Sequence, residues 1–404
     1  YFLINFPYLF ADSGRPGPNT LCMSGTSWME DSDTYHFAVR PTGILEAPEK
    51  AIRAIQKSEF YFHPLRDSNG NSIKVSGSGN LDNELVKMAV SLSGSPQISQ
   101  SLLSLTMQRL IDMRANDEWK DRQRILILVN SYNQAKLVAQ TISTQIRSEK
   151  PDWRVQYLVR ATGDEAREQE SYWEYLEGGA KRLSRPNLLN IGMTDVPTVL
   201  VAPLLAVGRR HNILNQEGTA AFGAIFFATR PMKTPDDISR WVYWINYQTI
   251  KMLQNPNARE WYGASNPKDR LLCIRRQMNY WWSRIEGYKP SVIMRIPSLR
   301  RSMAATMAAI VIQASGRLLR GGVPLLAYFL DAAWAPGSAS LKSDTNQTSL
   351  LVEMINIIGE YCQNPIGQTL FDPLNTALQN IKGLEIKNNS DKESFEDNTE
   401  GGDY

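Results

Sequence analysis

The run Gln313-Ala-Ser-Gly316-Arg317-Leu-Leu-Arg320 combines residue types that can handle phosphate. It closes a helix predicted over Ser298–Leu319, with an Ala/Met/Ile face. Arg317 and Arg320 are three residues apart, so on a helix they share a face. Two planar guanidiniums on one face can grip a single phosphate chain. Gly316 removes side-chain bulk beside them, which lets a ligand or another backbone come close. Cations at a helix C-terminus also complement its dipole, and Gly321-Gly322 is an ordinary stop signal. That plainer reading accounts for neither the glycine inside the helix nor Gln313. The chemistry implied is stabilisation of negative charge on a phosphoryl group.

Three other segments place polar or basic residues just after an apolar run. Leu21-Cys-Met23 leads into Ser24-Gly25-Thr26, Arg124–Val129 into Asn130-Ser131, and Thr198–Ala202 into Gly208-Arg209-Arg210-His211-Asn212. Other chemistries lack their residues. There is no G-x-x-x-x-G-K-[ST] loop and no H-E-x-x-H or G-x-S-x-G motif. His36, His63 and His211 are far apart, and Cys22, Cys273 and Cys362 are too few for a disulfide framework or a four-cysteine metal site. No metal site is expected.

The elements that must position these residues follow from the hydrophobic pattern. Continuous apolar runs predict buried parallel strands at Ile125–Val129, Val155–Val159, Thr198–Ala202, Gly223–Thr229 and Val323–Leu330, the last ending at Asp331. Helices are predicted over Leu102–Ala115, over Gln134–Ser148 with Asn133 as cap, over Asp164–Gly178 and through Pro235–Gly287. Asp31–Ser101 is mixed and rich in turn residues. Strands alternating with helices imply an α/β fold, a parallel sheet covered on both faces, with ligands at the carboxyl ends of the strands.

The 404 residues suffice for two or three domains. A net charge of +3 conceals an asymmetry: Lys387–Tyr404 carries −4, and Ala206–Arg320 holds 18 Lys/Arg against six Asp/Glu. A basic body suggests a polyanionic partner, although a solvated charged surface gives the same count. No apolar run reaches the roughly 20 residues that span a bilayer, so no membrane association and a cytoplasmic location are expected.

The order of motifs resembles the C-terminal part of superfamily 2 helicases. There Q-x-x-G-R-x-x-R is motif VI, whose arginines reach the γ-phosphate of ATP across a cleft between two RecA-like domains. Arg317 and Arg320 match those arginines, and Gln313, Gly316 and Gly208 would line the cleft. Ser24-Gly25-Thr26 resembles motif III, Arg124–Ser131 the motif IV strand, and Thr198–Asn212 motif V. The resemblance implies nucleic-acid contacts from Ser24, Thr26, Ser131, Arg209, Arg210 and His211. Gly25 replaces the usual Ala of motif III, and Arg210 stands where many relatives carry Gly or Glu. Asp164-Glu-Ala-Arg167 imitates a DEAx box but follows motif III instead of preceding it, so an acidic helix N-terminus is the better reading.

The likeness is nearest to DinG/XPD-like helicases. Ala206–Leu214 and Ala220–Met232 further resemble the helicase-like Z component of prokaryotic Piwi (pPIWI-RE) defence islands. The resemblance divides the chain into 1–30, the end of a first RecA-like domain; 31–115, a linker or accessory region; and 116–335, a second RecA-like domain with a helical insertion at about 235–290. A helical extension at 336–386 and a disordered acidic tail at 387–404 follow. It implies ATP and Mg2+ bound mainly by an upstream domain, nucleic acid (DNA before RNA), and a Piwi-type protein and a nuclease as partners. The alternative is a helicase-like scaffold that binds nucleic acid or proteins without turnover. Within Ser239–Arg284, tryptophans interleave with arginines; they either stack on bases or fill the insertion's own core.

Overall fold

Seven short strands lie side by side and point the same way: β1 (Glu59–Phe62), β2 (Arg124–Val129), β3 (Arg154–Leu158), β4 (Lys181–Leu183), β5 (Thr198–Pro203), β6 (Ala224–Phe227) and β7 (Leu326–Phe329). Their order is β1-β7-β6-β2-β5-β3-β4, and every pairing is parallel. The structure is a computed structural model that describes residues 13–14, 25–36, 41–94, 101–146, 152–160, 179–207, 212–231, 238–254, 266–286 and 296–387. The helices that matter here are α1 (Glu49–Gln56), α2 (Leu81–Ser93), α3 (Leu102–Asp112), α4 (Tyr132–Ile146), α5 (Ile238–Gln254), α6 (Pro267–Glu286), α7 (Pro297–Leu318), α8 (Leu350–Tyr361) and α9 (Pro365–Gln379).

The central strand shows why the sheet is covered twice. All six β2 residues are buried, and successive side chains point to opposite faces. Leu126 and Leu128 join one core with Met307, Ala308, Leu351 and Phe371 from α7, α8 and α9. Ile125, Ile127 and Val129 join the other with Leu85, Leu103 and Val138 from α2, α3 and α4. A strand that must bury both faces can afford no polar alternation, hence its unbroken apolar run. The result is the expected α/β, RecA-like architecture.

Four elements depart from the sequence expectation. The mixed segment supplies β1, an edge strand on β7, and α2, which packs on α4. The other edge, β4, has three residues, Lys-Arg-Leu, with no apolar pattern to reveal it. Helix α4 starts at Tyr132. Its cap is Ser131, not Asn133: the Gln134 amide donates to the Ser131 hydroxyl at 3.2 Å. The predicted charged helix Asp164–Gly178 and the acidic tail lie outside the described residues. Among the described residues no helix is long and apolar enough to cross a membrane.

Candidate functional site

Helix α7 is the axis of the site. Alanines 304, 305, 308, 309 and 314 are buried, so its backbone lies close against the sheet and α8. The segment after the motif III-like turn runs along its flank and is held at three levels. The Gln313 amide donates to the Thr26 hydroxyl at 2.9 Å. Ser32 and Thr306 share a hydrogen bond of 2.8 Å, and the Thr306 hydroxyl reaches Asp33 at 3.3 Å. Arg301 pairs with Asp31 at 2.9 Å, and the Tyr361 hydroxyl donates to the same carboxylate at 3.1 Å. The structure thus brings together Thr26 and Gln313, 287 residues apart in the chain.

Thr26, expected to face a nucleic-acid backbone, is 4% exposed, and its hydroxyl accepts the Gln313 amide. Ser131 is also engaged, because its hydroxyl caps α4.

The arginines occupy the last turn of α7 and the turn beyond. The helix ends at Leu318 with Leu319 as C-cap, so Arg320 stands past the regular helix. Gly321 and Gly322 follow at φ +82° and +68°, where a Cβ would also meet Thr219 or Lys50; the turn requires both glycines. Gly316 differs. A Cβ there would meet nothing within 4 Å. No internal packing demands this glycine, which costs a helix about 1 kcal/mol relative to alanine. Open space beside it suits an approaching ligand. Arg317 is half-buried and Arg320 exposed. Burial, then the neighbouring Arg320 guanidinium, push the Arg317 pKa below its usual value. An anion bound here would offset both by favouring the charged guanidinium.

The turn that carries these arginines is fixed by a residue the sequence reading passed over. Arg122 is fully buried just ahead of β2. Its guanidinium donates to the carbonyls of Leu318 (2.9 Å), Phe222 (2.8 Å), Ala220 (2.8 Å), Pro324 (2.6 Å) and Glu118 (2.9 Å). Burial lowers its pKa to about 9, which leaves it charged at neutral pH. The Leu318 carbonyl is one of the unpaired acceptors at the end of α7, so the buried cation caps that helix. Arg124 does similar work, donating to the carbonyls of Ile191 (3.0 Å), Ala221 (3.2 Å) and Thr194. The available signal was Arg122 and Arg124 at the start of the apolar run Ile125–Val129.

These contacts also locate the site on the sheet. Arg122 precedes β2, and the Ala220 amide, four residues before β6, donates to the Arg320 carbonyl at 2.9 Å. Arg317 and Arg320 therefore sit at the amino ends of the strands. Asn130, Ser131 and Asp331 sit at the carboxyl ends, the other side of the sheet. There the buried Asp331 carboxylate accepts the amides of Val75 (3.0 Å), Ser76 (2.8 Å) and Ala333 (2.9 Å), and the Asn130 amide donates to the Arg230 carbonyl at 3.1 Å. Ser24, Gly208, Arg209, Arg210 and His211 lie outside the described residues.

A cavity of about 300 Å³ opens between the 30–36 segment and α5, lined by Glu30, Asp31, Asp33, His36, Tyr247 and Lys251 among others. Burial and then Lys251 hold His36 at about 4, so it is neutral at pH 7. Arg301 and Lys251, the latter 3.8 Å from Asp31, offset the carboxylates within the wall itself. Among the described residues no three His, Cys, Asp or Glu side chains gather as a metal-binding group.

No protein-family model, curated protein or solved structure matches this chain.

Proposed function

We propose that this chain is the second, C-terminal motor domain of an ATP-dependent nucleic-acid helicase or translocase of the DinG/XPD-like kind, acting in the cytoplasm in defence against invading nucleic acid. The observation that supports this reading most is the Gln313–Thr26 hydrogen bond. It joins the segment that resembles motif III to the helix that resembles motif VI, one to two turns from Arg317 and Arg320, on a parallel RecA-like sheet.

In this reading a first RecA-like domain cradles ATP and Mg2+, which is where the absent G-x-x-x-x-G-K-[ST] loop belongs. The metal, when bound, neutralises charge between the phosphates. Arg317 and Arg320 touch the γ-phosphate from across the cleft and stabilise the charge that develops as the bond breaks. Gly316 and Gly208 leave room for the nucleotide. Ser24, Arg209, Arg210 and His211 contact the nucleic-acid backbone, with Ser131 beside them. A Piwi-type protein and a nuclease would act alongside.

The test uses the protein with its first motor domain. Arg317→Ala should lower ATP turnover by about a thousandfold or more while nucleic-acid affinity changes less than about twofold. This chain alone should show no DNA-stimulated ATP hydrolysis. Turnover that survives Arg317→Ala, or robust hydrolysis by the chain alone, would overturn the assignment and leave a nucleic-acid-binding scaffold.

A further inference from the structure

The Trp/Arg-rich insertion is resolved by the structure into an inside and an outside. Trp244 is buried, stacks edge-on against Trp281 at 6.2 Å, and forms a small core with Ile245 and Leu299; Trp241 and Met278 pack against it. These side chains hold α5, α6 and the start of α7 together. Trp282, the next residue, turns outward and is 37% exposed.

Trp282 ends a stripe. Lys268, Leu272, Arg275, Asn279 and Trp282 follow one another along α6 at steps of four and three residues, and all five are exposed. Leu271 and Arg276 flank them, also exposed. Three cations stand on this face. The one α6 carboxylate whose side chain is described, Asp269, is tied to the helix cap by Asn266 at 2.6 Å. Among the described residues Lys268, Arg275 and Arg276 take part in no ion pair. From Lys268 to Trp282 the stripe rises about 21 Å.

We propose that the outer face of α6 is a track for single-stranded DNA. Lys268, Arg275 and Arg276 would lie along the phosphates, and Trp282 would stack on a base. The single strand is favoured over the duplex because a stacked, paired base offers no face to an indole. Arginines and an exposed indole on one helical face are the combination that binds unpaired strands with little sequence preference. The proposal rests on the nucleic-acid half of the reading above and is independent of its ATP chemistry.

The experiment measures binding of a fluorescent 20-mer of deoxythymidylate to this chain by anisotropy, across a salt series. Arg275→Gln/Arg276→Gln should lower affinity and make the slope of log affinity against log salt shallower by about 1.4. The paired lysine variant should keep the slope. Trp282→Ala should lower affinity about tenfold, and Trp282 fluorescence should be quenched in the wild-type complex. Near-ultraviolet circular dichroism of each variant would report whether the inner Trp244–Trp281 pair is intact. Affinity and slope unchanged in well-folded variants would overturn the proposal, as would no binding by the wild type. Self-association abolished by Leu271→Glu/Leu272→Glu, with DNA binding untouched, would give the face to a second copy and overturn it too. Intact DNA binding in Arg317→Ala, alongside loss in the α6 variants, separates the failure of one reading from the failure of the other.

Discussion

Two pairs of arginines meet near the end of α7 and do opposite jobs. Arg122 and Arg124 are sunk in the body, and their guanidiniums are saturated by backbone carbonyls. Arg317 and Arg320 stand on the half-open side of the same turn, crowding each other beside a glycine with empty space over it. The side chains are chemically identical. What separates them is where water can reach. A buried guanidinium must spend its donors on fixed acceptors, because burying them unpaired is costly. A half-exposed one can also be reached by water and by a ligand. The two pairs also depend on each other, since Arg122 holds the Leu318 carbonyl next to Arg317.

The largest effect should separate the pairs by function. Under the proposed function, Arg317→Ala should lower ATP turnover in the complete motor about a thousandfold yet leave the urea midpoint of this chain nearly unchanged. Arg122→Met should do the reverse. Five carbonyls lose their donor, a cost of about 3 kcal/mol or more, readable as a lower urea midpoint. The same substitution at exposed Arg320 should cost less than about 0.5 kcal/mol. Equal losses at Arg122 and Arg320 would erase the distinction.

A smaller effect tests the link between the site and the flanking segment. A double-mutant cycle over Thr26→Val and Gln313→Leu should give a coupling energy of about 1 kcal/mol. Strict additivity would mean that the two residues do not hold each other.

The smallest effect concerns a half-buried charge, for contrast with the fully buried pair. Burial alone would raise the Glu59 carboxyl, but hydrogen bonds from Lys382, Tyr61 and Arg109 outweigh it and hold the group at about 2. Its folded pKa lies below the ordinary value of 4.5. The stabilisation is therefore full above pH 4.5 and is lost as pH falls from 4.5 towards 2. Glu59→Gln should flatten that part of the stability profile, measured by urea unfolding at successive pH values. A profile identical to wild type would show that the network around β1 adds nothing.

The central strands were legible because they bury both faces. Ile125–Val129, Thr198–Ala202 and Val323–Leu330 are almost wholly apolar, and such a run is visible in one dimension. The edges were not. β1 alternates half-buried and buried residues over four positions, and the strand it pairs with, β7, is more than 260 residues away. β4 is shorter still. The cap of α4 was misplaced by two residues because Ser131 and Asn133 both have the right chemistry; the hydroxyl three residues before the Gln134 amide is the one in reach.

The residues at the site divide the same way. Their types and spacing alone established that α7 ends in a paired-guanidinium, glycine-containing turn fit for phosphate, and that the chain is an α/β protein with a parallel sheet. Only the tertiary structure decided that Thr26 is turned inward to Gln313, that Arg122 builds the turn while Arg317 is left partly open, and that Trp281 faces in where Trp282 faces out. The reason is physical. Apolar periodicity and local turn chemistry act between neighbours in sequence. Burial of a polar group is set by what packs over it, and here those partners come from up to 330 residues away.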